Sequence, residues 1–156
     1  MAEKDWLSLL SGENQVQEVV RLNQVTERFG LSLTEEEARQ LTVQRRDTLR
    51  EQKRVEFGEG ILPKLIYTFC DSPYIDQNSY VDMLARLQEI FYLYKNESMD
   101  ELTDDELLEY MKEAFDGVCQ GSLEYLEETV LEKFARNIRA EHHFFGSGYQ
   151  EAERRR

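Results

Sequence analysis

Cysteine, histidine and proline are nearly missing from this chain of 156 residues, which has two of each. Cys70 and Cys119 lie far apart with no CxxC spacing, which rules out a disulfide framework and a cysteine-based zinc site. Isolated cysteines of this kind are read as small buried apolar groups, and neither has a sequence-adjacent base to make it a nucleophile. His142 and His143 are adjacent, and three residues before them stand Arg139 and Ala140. The Glu-x-x-His pairs of a di-metal carboxylate bundle are therefore absent. No phosphate-binding GxxxxGK[ST], dinucleotide-binding GxGxxG or GxSxG elbow occurs. No apolar run approaches the ~20 residues of a membrane helix. The first residues, MAEKDWLSLL, lack the basic region and apolar run of a signal peptide, so a cytoplasmic protein is expected. Basic charge is also short. Lys and Arg number 19 against 32 Asp and Glu, a formal net charge of −13. A field of that sign repels nucleic acid and anionic membrane and draws basic partners or cations.

What is present is helical patterning. Apolar residues make up 40% of the chain, enough for a core without staples. No strand pattern or fixed repeat is visible. The strongest stripe is Tyr80, Leu84, Leu87, Phe91 and Tyr94, at steps of four, three, four and three. Val81, Ile90 and Leu93 broaden it beyond one face, which predicts a central helix over 76–97 with neighbours on several sides. The expected architecture is an all-α single domain over 1–141, an irregular bundle of five to six helices, with a flexible tail over 142–156.

Helices are expected at 3–10, carrying Trp6, Leu7, Leu9 and Leu10, and at 13–29, capped by Gly30 and carrying Val16, Val19, Val20, Leu22, Val25 and Phe29. Thr34 and Glu37 form a capping box for a helix over 35–54 with a thin stripe of Ala38, Leu41 and Leu49. FGEG at 57–60 reads as a turn. Ile61, Leu62, Leu65, Ile66 and Phe69 share a helix whose first turn tolerates Pro63. Pro73 marks a second turn at 71–74. Thr103 and Glu106 form another capping box, with Leu107, Leu108, Met111, Ala114 and Phe115 inward. Ser122 caps a last helix with the stripe Leu123, Leu126, Val130, Phe134 and Ile138.

Three features suggest function. Charge is uneven: residues 97–141 hold 14 acidic and 4 basic side chains, net −10, and residues 39–54 hold six basic and two acidic, net +4. Two solvated faces that touch within the fold explain this most simply, and a docking patch is the sharper alternative. Next, DGVCQGSLEYLE (116–127) resembles an EF-hand loop, with Asp116 at position one, Gly121 at six, Glu124 at nine and Glu127 at twelve. Val118 at three and Gln120 at five weaken it, so Asp116, Glu124 and Glu127 are candidate cation ligands only in that alternative. Last come the aromatics: Tyr67, Tyr74, Tyr80, Tyr92, Tyr94, Tyr110, Tyr125 and Tyr149, with Phe144 and Phe145. Tyr92 lies off the central stripe. Tyrosine suits interfaces that are sometimes wet, although core packing explains most such rings.

The runs RVEFGEGILPKLIYTFCDSPYI, FYLYKNES and DELLEYMKEAFDGVCQGSLEYLEETVLEKFAR resemble a bacterial family of short acidic proteins of unknown function across nearly the whole chain. The resemblance implies a bacterial cytoplasmic protein and assigns no residue a role. The expected function is a non-enzymatic protein–protein interaction module with a protein partner, no catalytic residues and no cofactor. The alternatives are a cation-responsive helix–loop–helix over 103–135 and an enzyme whose site is assembled from distant residues.

Overall fold

The computed structural model of the chain describes residues 13–58 and 60–147. The helix expected at 3–10 lies outside them. Among the described residues the chain is all-α, with no strand. It packs as two compact units, Met1–Tyr92 and Leu93–Arg156.

In the first unit α1 covers residues 13–21. The expected run to 29 is broken at Leu22. A short α2, Asn23–Thr26, and a 3₁₀ turn, Glu27–Phe29, follow it. At Leu22 the backbone tightens, the Leu22 amide donating to the Val19 carbonyl at 3.1 Å, and the side-chain amide of the next residue, Asn23, ties α2 to the following segment. It donates to the Leu33 carbonyl at 2.9 Å and accepts from the Leu33 amide at 2.9 Å. Phe29 is 42% exposed and not part of the stripe, while Thr26 is buried, with its hydroxyl on the Leu31 carbonyl at 2.8 Å. Gly30 ends the turn in the left-handed conformation, φ 79, as expected of a capping glycine.

Helix α3, Glu35–Glu51, opens with the complete Thr34–Glu37 capping box. Its buried face is longer than its apolar stripe because Thr42, Arg45 and Thr48 continue the line from Ala38 and Leu41. Helix α4, Leu62–Phe69, carries Pro63 in its first turn and buries Leu62, Leu65, Ile66 and Phe69. Helix α5, Tyr80–Glu97, starts four residues later than the pattern suggested. Residues 76–79 are held in a turn in which the Ser79 amide donates to Asp76 Oδ1 at 2.9 Å. Gln77 pairs with the Ser32 backbone in both directions, at 2.8 and 3.0 Å. The α5 stripe is as expected: Tyr80, Leu84, Leu87, Phe91 and Tyr94 are all buried. Each fully buried Leu or Phe contributes about 1.5–3 kcal/mol relative to exposure.

The second unit contains the end of α5, then α6 (Asp104–Asp116), α7 (Leu123–Tyr125), a π-helical turn (Leu126–Leu131) and α8 (Glu132–Ser147). Both the Thr103–Glu106 capping box and the Ser122 cap are formed. The last stripe departs from expectation. Leu123 and Leu126 are buried, but the line continues through Leu131, Ala135 and Ile138, leaving Val130 and Phe134 half-buried. A π turn holds one residue more than an α turn, so everything after it rotates by one position. Helix α8 also continues to Ser147, six residues past the point where the sequence loses periodicity. The remainder of the expected tail, 148–156, lies outside the described residues.

Candidate functional site

The rotation at the π turn shapes the most distinctive surface of the second unit. It leaves Phe134 at the boundary of the core, where its ring meets Tyr110 with centroids 4.8 Å apart and planes at 35°. On α6, Leu107, Leu108, Met111 and Phe115 are buried. Glu106, Glu109 and Glu113 are exposed beside Tyr110, at spacings of three and four that line them along one edge. Together with Leu102 these residues line a groove of about 280 Å³. That volume suits one or two side chains and falls short of a typical small-molecule pocket. Its floor is aromatic and its rim carries three carboxylates. Burial raises the Tyr110 hydroxyl above its ordinary pKa, with the nearby Cys119 adding to the shift, so it remains a neutral donor.

The surrounding groups fix this geometry. The Tyr94 hydroxyl lies 3.0 Å from the Glu127 carbonyl, inside the π turn, and 3.2 Å from Glu132 Oε1. Glu132 Oε2 accepts from Arg139 at 3.0 Å, and Arg139 also pairs with Glu97. The Arg139 and Tyr94 hydrogen bonds hold the Glu132 carboxyl below its usual range. Lys95, almost buried, contacts Asp104 Oδ1 at 3.0 Å and donates to the Leu102 carbonyl, which anchors the entry to α6.

The candidate cation ligands are placed as follows. Asp116 pairs with Lys112 at 2.9 Å. Glu124 is exposed, and Glu127 offers its backbone carbonyl to Tyr94. The loop between them wraps the end of α6. Gly117, Cys119 and Gly121 donate backbone N–H groups to the carbonyls of Glu113, Ala114 and Phe115, at 3.0, 2.9 and 2.8 Å. Among the described residues no group of three His, Cys, Asp or Glu side chains is placed to hold a metal ion. Cys70 and Cys119 are both buried. The side chains of His142, His143, Phe144 and Phe145, and the whole of Tyr149, lie outside the described residues.

The basic stretch 39–54 is not a bare patch. Arg39 meets Glu13 at 3.1 Å and Glu35 and Glu36 at 3.8 Å, and Arg50 meets Asp47 at 3.5 Å. Arg45 is buried, its Nε donating to Glu56 Oε1 at 2.8 Å. Tyr92, which lies off the central stripe of α5, is buried too, and its hydroxyl donates to the same Glu56 oxygen. Burial lowers the Arg45 pKa, but hydrogen bonds to Glu56 and Tyr92 outweigh this and leave it raised. The three-residue cluster was missed in the sequence. Its one signal was the i, i+3, i+4 position of Arg45 relative to Leu41 and Thr42.

Of the tyrosines, Tyr67, Tyr74 and Tyr125 are exposed, and Tyr80, Tyr92 and Tyr94 are buried. Burial pushes the Tyr80 hydroxyl up to about 12, and raises Tyr92 and Tyr94 as well. In the unfolded chain these groups ionise near pH ~10. Above that pH the unfolded state therefore binds fewer protons than the folded one, and stability falls as pH rises. The urea midpoint is expected to be flat up to about pH 9 and to drop steeply between about pH 10 and 12. The tyrosinate absorbance of the three buried tyrosines should appear only together with unfolding. All eight tyrosines of the chain ionised near pH ~10 in a still-folded protein would contradict the burial.

Among the described residues the structure is all-α, has an acidic, aromatic-floored groove and has no helix long and apolar enough to cross a membrane, which defines a helical protein with a surface site. The chain belongs to the family of unknown function DUF6323, whose family model matches residues 18–144. No curated protein and no solved structure matches it.

Proposed function

We propose that this protein is a non-enzymatic cytoplasmic interaction module, and that its α6–α8 groove receives a short basic, apolar-bearing segment of a partner protein. The observation that carries this reading is the Tyr110–Phe134 floor beneath the row Glu106, Glu109 and Glu113. An apolar side chain in the groove excludes water from the two rings. A flanking Lys or Arg reaches the carboxylates, and over the Tyr110 face gains about 0.5–2 kcal/mol from cation–π attraction. The excess acid of 97–141 steers such a segment inward and makes binding salt-dependent. A groove of this size supports weak, transient contact.

The test is anisotropy with labelled peptides that alternate Lys with Leu or Phe. Binding to the full chain should weaken about tenfold between about 50 and 300 mM salt. The double reversal Glu109→Lys with Glu113→Lys, at exposed positions, should weaken it by a further tenfold or more at low salt, with unchanged thermal stability. Peptide binding indifferent to both changes would refute the groove. A turnover reaction retained by pure protein would refute the non-enzymatic reading.

A further inference from the structure

The segment after α3 is pinned to the first unit, yet it displays apolar side chains. From Arg54 to Phe57 the backbone has neither helix nor turn. Glu56 faces inward, its carboxylate held by Arg45 at 2.8 Å and by the Tyr92 hydroxyl. Its two neighbours face out: Val55 is 78% and Phe57 is 88% exposed, the highest values for large apolar side chains among the described residues. Two residues on, the Gly58 carbonyl accepts from Gln15 Nε2 at 3.2 Å. A loop anchored on both sides of an exposed Phe presents that ring in a fixed place, which lowers the ordering cost of inserting it elsewhere. Lys53 and Arg54 immediately precede the pair.

We propose that Val55 and Phe57 form a docking finger whose receptor is the α6–α8 groove of a second copy of this chain. The inference rests on the reading of that groove as a receptor for basic, apolar-bearing segments. The match is one of charge and shape. The finger carries two cations, Lys53 and Arg54, ahead of two apolar side chains. The groove offers an aromatic floor for one or two side chains, and it lies in a stretch of net charge −10. Finger and groove are different surfaces, so each contact is heterologous, and association either closes on itself or continues head to tail. Two inserted side chains bury far less than the ~1,200 Å² of a standard interface, so a dissociation constant of about 100 μM is expected.

Sedimentation velocity of the full chain from about 10 to about 500 μM tests this. Wild type should shift from monomer towards dimer or larger oligomers, and the shift should disappear in high salt. Phe57→Ser, at an exposed position, should abolish it, and so should Glu109→Lys. Mixing these two variants should restore a dimer and nothing larger, because one supplies an intact groove and the other an intact finger. Association unchanged by Phe57→Ser, or mixed variants that stay monomeric, would overturn the proposal. A wild type monomeric throughout that still binds the Lys/Leu peptides would overturn the finger and leave the groove standing. Failure of both would remove the groove as well. Phe57-dependent binding to phosphatidylserine vesicles without self-association would place the finger in a membrane and also overturn the proposal.

Discussion

Gly60→Ala is expected to lose about 4 kcal/mol of stability where Gly58→Ala loses about 1 kcal/mol, although the two glycines share nearly the same backbone. Gly60 sits at φ +76 and Gly58 at φ +72. Holding an alanine in that left-handed region costs about 1 kcal/mol at either position. The difference lies in what the new methyl group meets. At Gly58 nothing lies within 4 Å. At Gly60 it would stand 2.3 Å from Glu56 Oε1 and 2.4 Å from Arg45 Nε. Those atoms end flexible side chains, but they are locked to each other in a part-buried ion pair, so neither can retreat without breaking it. Breaking a buried pair typically costs about 3–5 kcal/mol. Urea unfolding of the two variants side by side gives the comparison, and at this chain length the Gly60 variant should melt about 10 °C lower. Equal losses at the two positions would show that the ion pair gives way freely and that the loop is not clamped.

The parts of this fold that were legible in the sequence are those dictated by local rules. Both capping boxes, the Ser122 cap, the Gly30 stop and the tolerated Pro63 formed as read, because each depends on residues within one turn. The α5 stripe was equally plain, because every residue in it is apolar. The misreadings arise where a polar side chain finds a distant partner. Asn23, just past the break in α1, bonds Leu33, and Gln77, in the turn ahead of α5, bonds Ser32. Arg45 looked like surface charge until Glu56 and Tyr92 enclosed it. The groove was half legible. The acidic excess and the surplus of tyrosine were visible, and both bear on it. The pairing of Tyr110 with Phe134 was not, because it depends on the π turn, and strict helical spacing placed Phe134 in the core.

Removing one partner from the Arg45–Glu56–Tyr92 cluster is expected to do more harm than removing two. Glu56→Ala leaves the Arg45 guanidinium almost buried, at 8% side-chain exposure, with no carboxylate, and takes the acceptor from the Tyr92 hydroxyl. A charge stranded in this way costs about 3 kcal/mol, so the single variant should lose about that much. In Arg45→Met/Glu56→Leu no charge remains to be stranded. The methionine fills the stem of the arginine, and the one orphan left is the Tyr92 hydroxyl, at about 1–2 kcal/mol. The double variant should therefore be the more stable of the two by about 1–2 kcal/mol. The outcome also separates stability from display. The double variant keeps the core but releases the loop from its inward anchor at position 56. If clamping is what presents Val55 and Phe57, its Phe57-dependent self-association should weaken even though its fold is restored. A double variant less stable than Glu56→Ala would mean that the ion pair contributes net stability of its own, and the clamp would then be part of the fold's stability as well as a holder of the loop.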